Sequence, residues 1–257
     1  MKALLPALLL SFGSFDPLAA AIVEKPLEYK SGDVLCEGWQ AYDDALTGPR
    51  PGVLVVHQWT GISDHEKSAA RKLAALGYNV LVADIYGKGV RPQPPAAGKE
   101  AGKYKGDRPL LRARVNAALD VLSHDARTDA TKLAATGYCF GGTTVLELAR
   151  SGAPVKGVVS FHGGLDSPTP ADGKRIKGKV LALHGADDPF VPGKDVAAFE
   201  SEMKAAGVDY QLVKYPGAVH SFTHKEAGTD NAKGAAYNAD ADRDSWFQME
   251  QFLKRVF

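Results

Sequence analysis

Six near-continuous apolar runs, alternating with segments of helical periodicity, constrain this chain more than any other feature. The runs lie at 52–57 (GVLVVH), 79–84 (NVLVAD), 133–137 (LAATG), 158–161 (VVSF), 180–184 (VLALH) and 210–215 (YQLVKY). A strand with one wet face alternates apolar and polar side chains, whereas an unbroken run marks a strand covered on both faces, as in a parallel sheet. Helical patterns fill the gaps at 64–76, 110–122, 143–150 and 194–206, and a last helix carries Trp246, Met249, Leu253 and Val256 as one core-facing stripe. Strands alternating with helices make βαβ units, so residues 22–257 are expected to form a single α/β domain. Its mostly parallel sheet should be covered by helices on both faces. Two segments, Tyr86 to Arg108 and Glu226 to Asp242, break the alternation and read as long loops over the sheet's carboxyl edge, where α/β proteins build their sites.

With 31 Lys+Arg against 30 Asp+Glu, the formal charge is +1. Such a balance supplies no global field to recruit nucleic acid or an anionic membrane. Lys2, the apolar run Ala3 to Phe15 and the small residues Leu18-Ala19-Ala20-Ala21 follow the three-part order of a secretory signal. Residues 1–21 are therefore expected to be removed after Ala21, leaving a periplasmic or secreted protein. A buried helix or a membrane anchor is the alternative, but Pro6, Gly13, Asp16 and Pro17 interrupt the run well short of the ~20 apolar residues a spanning helix needs. Cys36 and Cys139 are the two cysteines, and an oxidising compartment invites a disulfide between them. Cys36, in the apolar setting Val34-Leu35-Cys36, is more simply a buried residue on an early strand.

Cys139 has a context of its own. Gly137-Tyr138-Cys139-Phe140-Gly141-Gly142 follows an apolar strand and opens a helical run, giving the form G-x-C-x-G. A nucleophile on a sharp strand-to-helix turn needs glycine two residues to either side, where a Cβ would clash. The thiol then stands at a helix N-terminus, whose partial positive charge favours thiolate. A Gly-rich turn around a merely buried cysteine has the same letters, so the partners decide. Downstream come His184-Gly185-Ala186-Asp187-Asp188-Pro189-Phe190-Val191-Pro192 and then Gly217-Ala218-Val219-His220-Ser221-Phe222. Nucleophile, acid, histidine is the order in α/β-hydrolases. The chemistry needs a base to take the thiol proton and activate water, and a carboxylate to hold the imidazole tautomer. Asp187 and Asp188 compete for the acid role on the residues alone.

His220 and His224 also have the i, i+4 spacing of a helical zinc site. No Glu stands between them in the H-E-x-x-H manner, the segment reads as loop, and no third ligand is evident, so no metal is expected. His57 and His162 end apolar strands, where they can line a pocket. Acyl transfer also needs backbone donors for an oxyanion. Phe140 N–H follows the nucleophile, and Trp59 N–H, in the loop Gln58-Trp59-Thr60-Gly61, is the second candidate.

From about Gly52 onward the chain resembles the dienelactone hydrolase family. The residues that carry the resemblance are His57-Gln58-Trp59-Thr60-Gly61, Gly137 to Gly142, Asp188-Pro189-Phe190-Val191-Pro192 and His220-Ser221-Phe222. The resemblance implies an α/β-hydrolase fold with an eight-stranded, mostly parallel sheet. It also implies a Cys139–His220–Asp188 triad, no cofactor, and hydrolysis of a small-molecule lactone or activated ester; the chain is separately expected to act as a monomer. Gln58, Tyr138, His162, Phe222 and His224 are the candidate pocket residues. Dienelactone-cleaving members carry Glu in place of Gln58 and, in place of His224, an Arg that helps bind the substrate carboxylate. Lys88, Lys99, Lys103 or Lys105 would then have to supply that charge. The competing reading is a non-catalytic hydrolase-like binding protein, or a redox-responsive thiol protein in which Cys139 pairs or oxidises.

Overall fold

A computed structural model describes residues 21–257. The expected leader therefore lies, apart from Ala21, outside the described residues. The strands are β1 (Ile22–Ser31), β2 (Val34–Asp43), β3 (Arg50–Val56), β4 (Asn79–Ala83), β5 (Thr128–Tyr138), β6 (Gly157–Phe161), β7 (Lys179–Gly185) and β8 (Tyr210–Tyr215). They make one eight-stranded sheet in the order β1-β2-β4-β3-β5-β6-β7-β8. From β4 to β8 every neighbour is parallel, while β1 and β2 form a hairpin whose second strand joins β4 antiparallel.

The unbroken apolar runs are explained by two cores. In β3, Leu54 and Val56 face one core and Val53 and Val55 the other. The same split separates Val180 and Ala182 from Leu181 and Leu183 in β7. The first core is closed by α3 (Arg108–His124), α4 (Phe140–Arg150) and α5 (Gly193–Ala206), through residues such as Leu111, Leu146 and Phe199. The second is closed by α1 (Asp64–Ala75) and α6 (Ala239–Val256), through Leu73, Met249 and Leu253. Each fully buried Val, Leu or Phe contributes about 1.5–3 kcal/mol, so both faces drive the sheet's assembly. Trp246 and Val256 of the expected α6 stripe are half-buried against the same core.

One feature corrects the sequence reading. The segment Tyr86 to Arg108 is not wholly loop, for α2 (Ala96–Gly106) forms within it and buries Ala97, Ala101 and Tyr104. Those positions share one helical face, but three of its interior and terminal positions are Gly98, Gly102 and Gly106, which lower helix propensity. The β1–β2 hairpin brings the sheet from the six apolar runs to the eight strands that the resemblance implies. Cys36 lies on β2, buried and free, as Cys139 is also free.

Candidate active site

The carboxyl ends of β3, β5, β6 and β7 converge on Cys139. It occupies the single position between β5 and α4, with φ 55° and ψ −112°. L-residues avoid this region, and holding one there costs of order 1–3 kcal/mol. The flanking glycines are what permit it. A Cβ on Gly137 would sit 2.2 Å from the Gly141 carbonyl oxygen, and one on Gly141 would sit 2.2 Å from that of Val56. The turn is pinned to the next strand by Cys139 N–H, which donates to Phe161 O at 3.0 Å. His162 and Ser221 are the other non-glycine residues at positive φ among those described, at 39° and 58°. All three surround one imidazole.

That imidazole is His220. Its Nε2 lies 3.0 Å from Cys139 Sγ and its Nδ1 lies 2.7 Å from Asp188 Oδ2. The Asp188 carboxylate is shielded from solvent, and its other oxygen accepts from Phe190 N–H at 2.8 Å. Asp187 instead turns outward, where its carboxylate accepts from Gly217 N–H at 3.0 Å and ties a turn. Of the two aspartates, therefore, Asp188 reaches the histidine. Both ring nitrogens of His220 are engaged, so it does not share a ligand geometry with His224.

Burial by itself would push the Cys139 thiol up. The His220 charge and hydrogen bond, the Phe140 N–H and the Lys105 ammonium outweigh it and bring the thiol below its usual value. Burial likewise works against the imidazolium, but Cys139 and Asp188 hold the His220 pKa above the ordinary imidazole range. Both directions favour thiolate paired with imidazolium.

The thiol opens into a cleft of about 200 Å³ lined by Trp59, Lys105, Phe140, Phe190, Val191 and His220. Of the four lysines expected to supply positive charge, Lys105 alone lines this cleft. Lys88 pairs with Glu28 and Lys103 with Glu100, while Lys99 is exposed. Trp59 N–H has no acceptor among the described residues. Glu66, buried at the start of α1, accepts from Gln58 N–H at 3.3 Å and so ties this loop to the helix.

The five pocket candidates lie outside that cleft. Tyr138 and His224 line a larger one of about 430 Å³ on the α1/α6 side of the sheet, together with His65, Asp242 and Trp246. Tyr138 is the last residue of β5 and its side chain joins the core closed by α1 and α6, whereas Cys139 packs against the other. His162 and Phe222 pack edge to face at 5.0 Å behind His220, and His162 Nε2 meets Thr223 Oγ1 at 2.8 Å. Gln58 is buried, with its Nε2–H donating to His224 Nδ1 at 3.3 Å. Ala101, Lys105 and Thr143 enter the cleft from α2 and α4. Ala101 and Thr143 carried no motif, and α2 itself was not anticipated.

Residues 39–257 match the family model described as the Dienelactone hydrolase family. Among solved structures, a dienelactone hydrolase-like promiscuous phosphotriesterase from metagenomic libraries is 39% identical, with a TM-score of 0.88 over 93% of this chain and 100% of that one. A putative carboxymethylenebutenolidase of Saccharolobus solfataricus is 26% identical over 91% of this chain and 99% of its own length. A probable 2-oxo-3-(5-oxofuran-2-ylidene)propanoate lactonase of a Bradyrhizobium species is 31% identical, covering 69% of this chain and 75% of that protein. The sheet order and helix placement are those of an α/β-hydrolase, and with the family model spanning all of the sheet but its first strand and a half, the chain belongs to the dienelactone hydrolase family.

Proposed function

We propose that the protein hydrolyses carboxylic esters or lactones through Cys139, His220 and Asp188. The observation that carries this reading is the unbroken chain of short contacts from Sγ through the imidazole to a buried carboxylate, opening into a cleft that Trp59 and Phe140 line. In this reading the Cys139 thiolate attacks the acyl carbon, and the carbonyl oxygen becomes an oxyanion held by Phe140 N–H and Trp59 N–H. Collapse expels the alkoxide, which takes the Nε2 proton of the His220 imidazolium and leaves a thioester. Neutral His220 then removes a proton from water, the hydroxide attacks the thioester, and the thiolate departs with the acid released. In a lactone the expelled alkoxide stays tethered, so the product is a single hydroxy acid. Asp188 holds Nδ1–H throughout.

Lys105 gives the cleft a positive end, which favours a substrate whose acyl half carries a carboxylate. The phosphotriesterase described above makes an aryl dialkyl phosphate a second substrate class to try. Export with cleavage after Ala21 rests on the order of the first 21 residues. N-terminal sequencing of the periplasmic product tests it, and a cytoplasmic chain retaining Met1 sinks it. The function itself is tested with p-nitrophenyl acetate. Turnover with a burst of p-nitrophenol, lost in Cys139→Ala and in His220→Ala, is expected. Undiminished turnover in either variant refutes the assignment.

A further inference from the structure

We infer that His57 is a positioning residue for the oxyanion site, holding the peptide group that presents Trp59 N–H. The inference deepens the hydrolase reading and rests on it. His57 is fully buried at the end of β3, outside the cleft at Cys139. Its ring is bracketed by two backbone groups. Ile85 N–H donates to Nε2 at 3.2 Å, so Nε2 is the bare nitrogen and the proton sits on Nδ1. Nδ1–H then donates to the Gln58 carbonyl at 2.6 Å.

That carbonyl belongs to the same planar unit as Trp59 N–H. In a trans peptide the C=O and N–H point in opposite directions, so gripping the oxygen from the sheet side aims the N–H away from the sheet. Tyr86 Oη–H donates to the next carbonyl, Trp59 O, at 2.9 Å, and Gly61 N–H adds a bond to Gln58 O at 3.2 Å. The donor residue is thus held on both sides. The His57 ring also stacks on Phe140, the other donor residue, with centroids 5.8 Å apart and planes 21° apart. One imidazole therefore touches both halves of the oxyanion site and the backbone after β4.

The groups facing the ring are Tyr86, Phe140, Glu66 of α1, Asp84 at the end of β4, and Arg91. Burial keeps the imidazole neutral, lowering its pKa against the pull of Gln58 O, Glu66 and Asp84. That direction agrees with the neutral tautomer that the two bonds set.

The test separates the two bonds of the ring. Asn at this position places an amide N–H near the Nδ1 site, whereas Gln places its polar end near the Nε2 site. For His57→Asn, kcat on p-nitrophenyl acetate should fall less than about tenfold. For His57→Gln and His57→Leu it should fall tenfold to a hundredfold with KM within about threefold, part of the 10²–10³ that losing a whole oxyanion donor costs. Alkylation of Cys139 by iodoacetamide forms no oxyanion, so its rate should stay within about twofold of wild type in all three variants. If alkylation and turnover fall together, or Gln restores turnover better than Asn, the positioning role is refuted. Imidazole nitrogen NMR of the wild-type protein supplies a reading independent of turnover. His57 should show a protonated Nδ1 and a bare Nε2 at neutral pH. The opposite tautomer overturns the inference. Absence of wild-type ester turnover would overturn the hydrolase reading alone, and the NMR result would still decide whether His57 grips the Gln58 carbonyl.

Discussion

Replacing Asp188 with asparagine removes one charge and one acceptor from a carboxylate whose two oxygens are both committed. Oδ1 accepts from Phe190 N–H at 2.8 Å and Oδ2 faces His220 Nδ1 at 2.7 Å. An amide keeps only one acceptor. With its oxygen on Phe190 N–H, its NH₂ faces Nδ1, the ring proton moves to Nε2, and the imidazole cannot accept a proton from thiol or water. With the amide flipped, Nδ1–H keeps a partner but the NH₂ confronts Phe190 N–H, and an unpaired buried donor costs about 1–3 kcal/mol. In either orientation the imidazolium loses a charge-assisted bond worth about 1.5–3 kcal/mol. At 1.36 kcal/mol per pH unit, that lowers the His220 pKa by about one to two units. Combined with the tautomer loss, kcat on p-nitrophenyl acetate should fall by about 10²–10⁴. The thiol should respond in the opposite sense. Alkylation by iodoacetamide rises as pH climbs through the thiol midpoint, which in wild type should lie clearly below the unperturbed ~8.5 and in Asp188→Asn should move upward. Asp187→Asn is the control, since Asp187 ties only Gly217 N–H at an exposed turn, and it should stay within about threefold of wild type. Asp188→Asn within threefold of wild type, or Asp187→Asn equally impaired, would refute the assignment of the acid.

Gln58→Glu introduces a buried negative charge on the loop that carries Trp59, and a like charge disfavours thiolate. The alkylation midpoint of Cys139 should rise by about half a unit or more, and an unmoved midpoint would mean position 58 does not govern the nucleophile. Lys105→Met should lower kcat/KM for a carboxylate-bearing ester by roughly threefold to tenfold more than for a neutral ester, the modest worth of an exposed ammonium, since the neutral ester feels only the lost pull on the Cys139 thiol; equal losses on both would remove Lys105 from specificity. Arg150 is fully buried between Glu147 and Glu202, so Arg150→Met strands the buried Glu202 carboxylate and leaves Glu147 to Arg112 alone. A loss of about 3–5 kcal/mol lowers the melting temperature by roughly 6–20 °C, and a melt within 2 °C of wild type would show the network to be dispensable.

What the sequence disclosed and what it withheld divide along one physical line. The doubly covered strands β3 to β7 were legible because both faces impose the same demand, and Leu54 and Val55 need be nothing but apolar to satisfy opposite cores. The edge hairpin was less so: its burial does alternate, with Tyr29 between exposed Glu28 and Lys30 and Cys36 beside exposed Leu35, but Pro26 and Gly38 dilute the strand signal. Helix α2 was missed because its buried face is made partly of the small side chains Ala97 and Ala101, which carry little signal against intervening glycines.

Within the site, Cys139 and His220 were legible from their order around a turn that only glycine at 137 and 141 tolerates, whereas Asp188 was separated from Asp187 only by the family resemblance. The pocket residues were not, since proximity to Cys139 in sequence says little about proximity in space. Tyr138 leaves on the opposite face of β5, whereas Lys105 arrives from a helix more than thirty residues upstream. His57 shows the same limit more sharply. Its letter announces an imidazole at a strand end, but its tautomer is set by Ile85 N–H, 28 residues away, and its partner is the carbonyl of the very next residue. A backbone group's direction leaves no trace in composition or periodicity. The site is also where local preference is overridden, with Cys139, His162 and Ser221 all held at positive φ. Rules of local consistency therefore locate such a site by the glycines that relieve it, and the donors that complete it become visible only when the backbone is drawn.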